Sequence, residues 1–141
     1  MYKICILSVN KTKEQWLEEA TCEYVKRLQA VASIEFVWCK TDDELVAKSL
    51  KASHLICLDP LGEELDSLQF SSFLLKQLQE AGCRLTIVIG GPLGLPQALK
   101  GKYLMVSLSK LTFTHQIVRL VLIEQIYRSF ELFKGSKYHK G

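Results

Sequence analysis

Four stretches of this chain, "KICILSV", "HLICLD", "RLTIVI" and "YLMVSLS", are apolar at nearly every position rather than at alternate ones. A strand of that kind is buried on both faces, so it must be covered from each side. Helical segments stand between these stretches. From Glu14 to Val31 the residues Leu17, Ala20, Tyr24, Leu28 and Val31 fall on one helical stripe. From Ser67 to Ala81 the stripe is Phe70, Phe73, Leu74, Leu78 and Ala81, closed by Gly82. Thr41 or Asp42 can cap a short helix running through Lys51, and a long helix is predicted from about His115 to Lys134. Ile34, Phe36 and Trp38 alternate instead, which predicts one further strand with a single buried face. Strands alternating with helices predict an α/β fold, a mainly parallel sheet with helices on both faces, as one domain over residues 1–141.

Composition narrows the function classes. Hydrophobic residues make up 48% and charged residues 23%, values of a folded domain and not of a disordered chain. No apolar run approaches the roughly 18 residues of a membrane span, and the run in "MYKICILSV" is too short for a signal-peptide core. Cys5, Cys22, Cys39, Cys57 and Cys83 stand singly in apolar surroundings. That pattern predicts reduced core thiols, a cytoplasmic location and no metal site. Charge is uneven: residues 101–141 hold seven Lys and Arg against Glu124 and Glu131, while the first hundred residues are net −2. A basic end of this kind suits a polyanionic partner, and equally a solvated tail.

Ligands of a parallel sheet gather beyond the carboxyl ends of its strands. Three unusual loops are predicted there: "LDPLG" (Leu58 to Gly62), "GGPLGLP" (Gly90 to Pro96) and "SLSKLTFTH" (Ser107 to His115). The glycine loop is no dinucleotide fingerprint, because it follows the fourth strand and the next strand ends without an acid for a ribose. Nor is it a phosphate loop, which needs a Gly-Lys-Ser/Thr ending. Positive φ is expected at Gly91 and Gly94. In the third loop, Leu108 to Thr114 mixes apolar and hydroxyl residues without turn punctuation, so its main chain needs partners. A buried heterocycle packed by Leu108, Leu111 and Phe113 would meet that need. "QIVRLVLIEQIY" is apolar almost all round, with Arg119 among Val118, Leu120 and Val121, which predicts a subunit interface as well as core contact. Glu124 and Arg128, four apart, are a surface ion pair or an arginine aimed at an anion.

"IGGPLGL", "LSKLTFTHQIVRLVLIEQIYRSF" and the terminal "YHK" together resemble the SPOUT-class methyltransferases that act on N3 of a pseudouridine in bacterial large-subunit ribosomal RNA. The resemblance runs along the whole chain and is strongest from Arg84 onward. It implies a C-terminal trefoil knot, a homodimer and S-adenosylmethionine as cofactor, with large-subunit ribosomal RNA or the whole ribosome as partner, and neither membrane nor metal. It also implies cofactor contacts at Leu58, Gly90, Leu108, Ser109, Lys110, Leu111, Thr112 and Phe113, and substrate-handling roles for His115, Arg128, Tyr138 and His139. The tail carrying Tyr138 and His139 is expected to fold back over the cofactor pocket. Thr114 stands where the family commonly has proline, Leu93 where it often has a small or acidic residue, and Asn10 where it has glycine. The segment from Trp38 to His54 is shorter than in many relatives.

In that reading Arg128 steadies the anionic ring and His115 takes the N3 proton or orders the loop. His115 could equally be the cap of the long helix, and Tyr138 and His139 a frayed end. Two other functions fit the same residues: a relative acting on transfer RNA, and a non-catalytic RNA-binding or ribosome-assembly module.

Overall fold

In a computed structural model, which describes residues 1–140, five strands form one parallel sheet in the order β2-β1-β4-β3-β5. The strands are β1 (Tyr2–Val9), β2 (Ala32–Cys39), β3 (Leu55–Glu64), β4 (Arg84–Ile89) and β5 (Leu104–Ser107). The helices are α1 (Gln15–Leu28), α2 (Asp42–Leu50), α3 (Ser67–Glu80) and α4 (His115–Lys134).

Both faces of the sheet are covered, as the doubly apolar strands require. On one face Ile4, Ile6, Ile56, Leu85 and Ile87 meet Leu28 of α1, Leu74 and Leu78 of α3, and Leu122, Ile123 and Ile126 of α4. On the other, Leu7, Val9, Cys57 and Val88 meet Leu45 of α2 together with Leu95 and Leu99 from the segment between β4 and β5. β2 lies at the edge, so Ile34, Phe36 and Trp38 are only half-buried, with the Phe36 and Trp38 rings stacked at 5.3 Å.

Local chemistry sets the ends of the helices. Thr41 accepts the Glu44 N–H and starts α2. Asp66 and Gln69 form a reciprocal capping box on α3. Gly135, at φ 73°, closes α4 in the left-handed conformation, with the Ser136 N–H donating to Glu131 O.

Several expectations are corrected. The first helix stops at Leu28, not Val31, because Val31 turns the chain and its carbonyl accepts the Tyr2 N–H at 3.2 Å. "LDPLG" is not a loop beyond β3 but part of it. Leu58 and Glu63 both face Val106, so the intervening residues bulge around β5. β5 ends at Ser107, leaving Leu108 and Ser109 outside the strand. The cysteines are not all core thiols either. Cys39 and Cys57 are buried, with burial pushing the Cys57 thiol up to about 11, but Cys22 and Cys83 are exposed. Cys22 sits on the outer side of α1, and Cys83 occupies a left-handed turn at φ 69°.

Candidate functional site

The carboxyl ends of β3, β4 and β5 open into one cavity of about 220 Å³. Leu58, Gly90, Leu108, Ser109, Leu111, Thr112 and Phe113 all line it. Lys110 does not: its side chain is 81% exposed and reaches Glu64 at 3.8 Å. One bulged strand segment and two loops, far apart in sequence, thus meet where the sheet topology places them.

Gly90 is required by close approach. A Cβ there would sit 2.4 Å from Gly94 C and 2.5 Å from Leu95 N, both main-chain atoms that cannot step aside. The chain then turns, with the Gly94 N–H donating to Gly91 O at 2.9 Å and Gly94 at φ 86°. Gly91 does not have the positive φ expected of it, since the turn places only Gly94 in that region. The Ser107–His115 segment is irregular, as its composition implies. Ser109 N–H donates to Ser107 Oγ at 3.3 Å and Leu111 N–H to Ser109 Oγ at 3.0 Å. Among the described residues the N–H groups of Lys110, Thr112 and Phe113 have no hydrogen-bond partner. Leu111 is 68% exposed and Phe113 37%, so the apolar lid expected over a ligand stands open. A cradle of unpaired main-chain donors with apolar walls fits an adenosine-bearing cofactor.

His115 lies on the wall of this cavity, but it is not the cap of α4. Thr114 caps, accepting the Ile117 N–H at 3.3 Å, so a threonine takes the role a proline cannot. Burial, then the charges of Arg119 and Lys13, hold the His115 imidazole below its ordinary value. One turn on, Arg119 is fully buried and has no carboxylate partner among the described residues. It donates to Val9 O and Asn10 O at 2.6 Å each, to Ser8 Oγ at 2.9 Å, and to Thr12 and Gln116, while Trp38 lies beneath its guanidinium at 4.5 Å. Burial pushes it down to about 10, which leaves it charged at neutral pH. Asn10 supplies its carbonyl from a left-handed conformation, φ 63°, which asparagine tolerates.

Arg128, Tyr138 and His139 form a second cluster at the far end of α4. Arg128 pairs with Glu124 Oε1 at 3.2 Å, meets His139 Nδ1 at 3.1 Å and lies over the Tyr138 ring at 4.9 Å. The Tyr138 hydroxyl donates to Glu124 Oε2 at 3.1 Å, and its ring meets Tyr127 edge-on at 4.8 Å. Burial, with hydrogen bonding to Tyr24 and the Glu124 charge, raises the Tyr138 phenol. The tail is therefore neither frayed nor folded over its own cavity. Thirteen residues of helix separate His115 from Arg128, about 20 Å at 1.5 Å per residue.

Two residues on or beside the cavity were not among the expected site residues. Arg119 carried a signal, as one charge inside an apolar helix. Asp59 carried a weaker one, an acid directly after an apolar strand, and it lines the cavity while 6% exposed.

A family model described as "Predicted SPOUT methyltransferase" matches residues 2–139. The "Ribosomal RNA large subunit methyltransferase H" of Protochlamydia amoebophila is 55% identical over 140 residues, covering 99% of this chain and 100% of its own. The protein of the same name from Ruminiclostridium cellulolyticum is 37% identical over 160 residues, covering 98% and 99%. Among solved structures, TrmJ from Z. mobilis superposes with a TM-score of 0.53 at 7% identity, covering 99% of this chain and 71% of that one. Lpg2936 from Legionella pneumophila, solved in complex with the bound cofactor SAM, gives 0.51 at 10% identity, covering 92% and 66%. At those identities the two structures speak for the fold alone.

Proposed function

Since the chain belongs to the SPOUT methyltransferase family, we propose that it transfers a methyl group from S-adenosylmethionine to N3 of a pseudouridine in large-subunit ribosomal RNA, in the cytoplasm. The observation that carries this reading is the single cavity that gathers Leu58, Gly90 and the Ser107–Phe113 segment, with His115 on its wall. Full-length relatives bearing the large-subunit name supply the RNA class.

Leu58, Gly90 and the main chain of 108–113 would hold the cofactor, which supplies the electrophilic methyl group when bound. The remaining work is positioning and charge. N3 carries a proton that must leave. A His115 held neutral at physiological pH can accept it, and Arg128, steadied by Glu124, can stabilise the anionic ring.

One chain cannot bring His115 and Arg128 to the same nucleotide across about 20 Å of helix. The homodimer in our reading resolves this. Ile117, Val121, Glu124 and Arg128 form a half-exposed stripe along α4, and Val121 lies midway between the two clusters. A two-fold axis crossing α4 near Val121 would set the helices antiparallel, with each tail cluster against the other copy's cavity. The knot belongs to the same reading. It rests on the family to which the chain belongs.

The test offers labelled S-adenosylmethionine and the purified chain to intact ribosomes, separated subunits and transfer RNA, followed by nucleoside mass analysis and sedimentation. We expect N3-methylated pseudouridine in large-subunit RNA only, from a protein that sediments as a dimer at micromolar concentration. Label in transfer RNA, or cofactor binding without transfer to any RNA, would overturn the reading.

A further inference from the structure

Asp59 is the one acidic side chain on the cavity wall, and it lies within β3 between Leu58 and Pro60, where the strand bulges. It is 6% exposed, yet its only hydrogen bond among the described residues is the Leu61 N–H, which donates to Oδ1 at 2.8 Å. No Lys, Arg or His pairs with it among the described residues. Two basic residues of the surrounding elements are committed elsewhere: Arg119 to the carbonyls of Val9 and Asn10, and Lys110 to Glu64. A carboxylate withdrawn from water without a cation is a standing cost to the folded chain. No described residue supplies the missing charge.

We propose that Asp59 is the counter-charge for the cationic end of the cofactor, its sulfonium or its ammonium group, and so a specificity-determining residue of this site. The idea rests on the S-adenosylmethionine reading above. It adds what that reading lacks, since Leu58, Gly90 and the 108–113 main chain offer apolar contact and neutral hydrogen bonds but nothing that distinguishes a charged ligand from a neutral one. A fixed carboxylate does distinguish them, because an ion pair in a water-poor cavity is far stronger than on an open surface. The same residue explains a local feature. Oδ1 keeps the turn at Leu61 through its hydrogen bond, which leaves Oδ2 for the ligand.

The substitution that separates the roles is Asp59→Asn. Its amide oxygen still accepts the Leu61 N–H, so the turn survives while the charge goes. Calorimetry would compare parent and variant with S-adenosylmethionine, S-adenosylhomocysteine and 5′-methylthioadenosine. The second ligand keeps the ammonium and lacks the sulfonium, and the third lacks both. We expect about a tenfold or greater loss of S-adenosylmethionine affinity and less than about a threefold change for 5′-methylthioadenosine, the contrast of a charged with a neutral contact. S-adenosylhomocysteine then identifies the group: a parallel loss points to the ammonium, an unchanged affinity to the sulfonium. The ligand-free variant should also melt at a higher temperature than the parent, because a buried unpaired charge has been removed. Equal losses for all three ligands, an unchanged S-adenosylmethionine affinity, or a lower melting temperature would each overturn the proposal. A parent that binds none of the three would instead sink the cofactor reading itself.

Discussion

Arg119 and Arg128 sit nine residues apart on one helix, and they show how differently a protein can use the same side chain. Arg119 has every hydrogen bond turned inward, onto Val9 O, Asn10 O, Ser8, Thr12 and Gln116, and is fully buried. It ties the end of β1 to the start of α4, and thereby fixes where His115 meets the cavity. Arg128 is half-buried and shares Glu124 with Tyr138, while His139 closes the group. Those partners lie on its own helix and on the tail. They can yield to a substrate without unfolding anything, whereas Arg119 is held in the buried interior by Ser8 Oγ and Val9 O of β1. The buried arginine holds the architecture together, and the half-exposed one keeps a face toward solvent.

The most direct way to break this contrast is to remove each charge in turn. Arg119→Met leaves the buried Val9 carbonyl and the part-buried Asn10 carbonyl without this donor and should lower unfolding free energy by about 3 kcal/mol or more. Arg128→Met removes a half-exposed ion pair, with an expected cost under about 1 kcal/mol. Activity should follow a different pattern for Arg128→Met: methyl transfer should drop about a hundredfold at nearly parental stability, as when one stabilising donor is lost. Urea unfolding and labelled-methyl transfer measured on the same preparations decide the matter. Equal stability losses would show that both arginines are structural.

A smaller contrast lies within the glycine loop. At Gly90 a side chain would drive into the backbone of Gly94 and Leu95, but at Gly91 it would meet Val9 Cβ at an ordinary 3.4 Å. Gly90→Val should therefore reshape the loop and abolish cofactor binding, and it should cost stability as well. Gly91→Ala should bind within about threefold of the parent, since no strain or collision is created there. Calorimetry of the two variants would sharpen the picture of a site built on main-chain approach. Retained binding in Gly90→Val would remove Gly90 from the site.

Much of this was legible in the sequence because it is local. Strand burial, the stripe of α3, the cap at Thr41 and the closing Gly135 all follow from neighbouring residues. The three cavity segments were legible, though one of them is strand and not loop, because sheet topology alone brings them together. What escaped is long-range. The partners of Arg119 are about 110 positions away, and nothing near Asp59 in sequence says that its cation is missing. The double pairing of Val106 with Leu58 and Glu63 is a register fact, invisible until β5 is placed beside β3. The tail was misplaced for a related reason. Its residues were readable, but their place beside Glu124 and Tyr127 of α4 depends on how the chain turns at Gly135.

The smallest expected effect probes the point where the two ends of α4 depend on each other. Burial disfavours the charged form of His115, and the nearby charges of Arg119 and Lys13 add to that; Glu14 faces the same groove. The folded chain therefore binds this proton less readily than the unfolded chain, whose histidine titrates near 6.5. The stability contributed is complete above that value and is lost as pH falls through it, because the unfolded state then gains the proton first. In catalysis the same depression keeps the imidazole neutral, and able to accept a proton, at pH values where a free histidine is already charged. Methyl transfer should stay level from about pH 8 down past 6.5, with its acid limb below the ordinary histidine value. Lys13→Gln removes one exposed charge from the vicinity and should move that limb upward, toward 6.5. His115→Gln should abolish the limb. A limb above 6.5, or one that survives His115→Gln unchanged, would take the proton away from His115 and leave it only a place on the cavity wall.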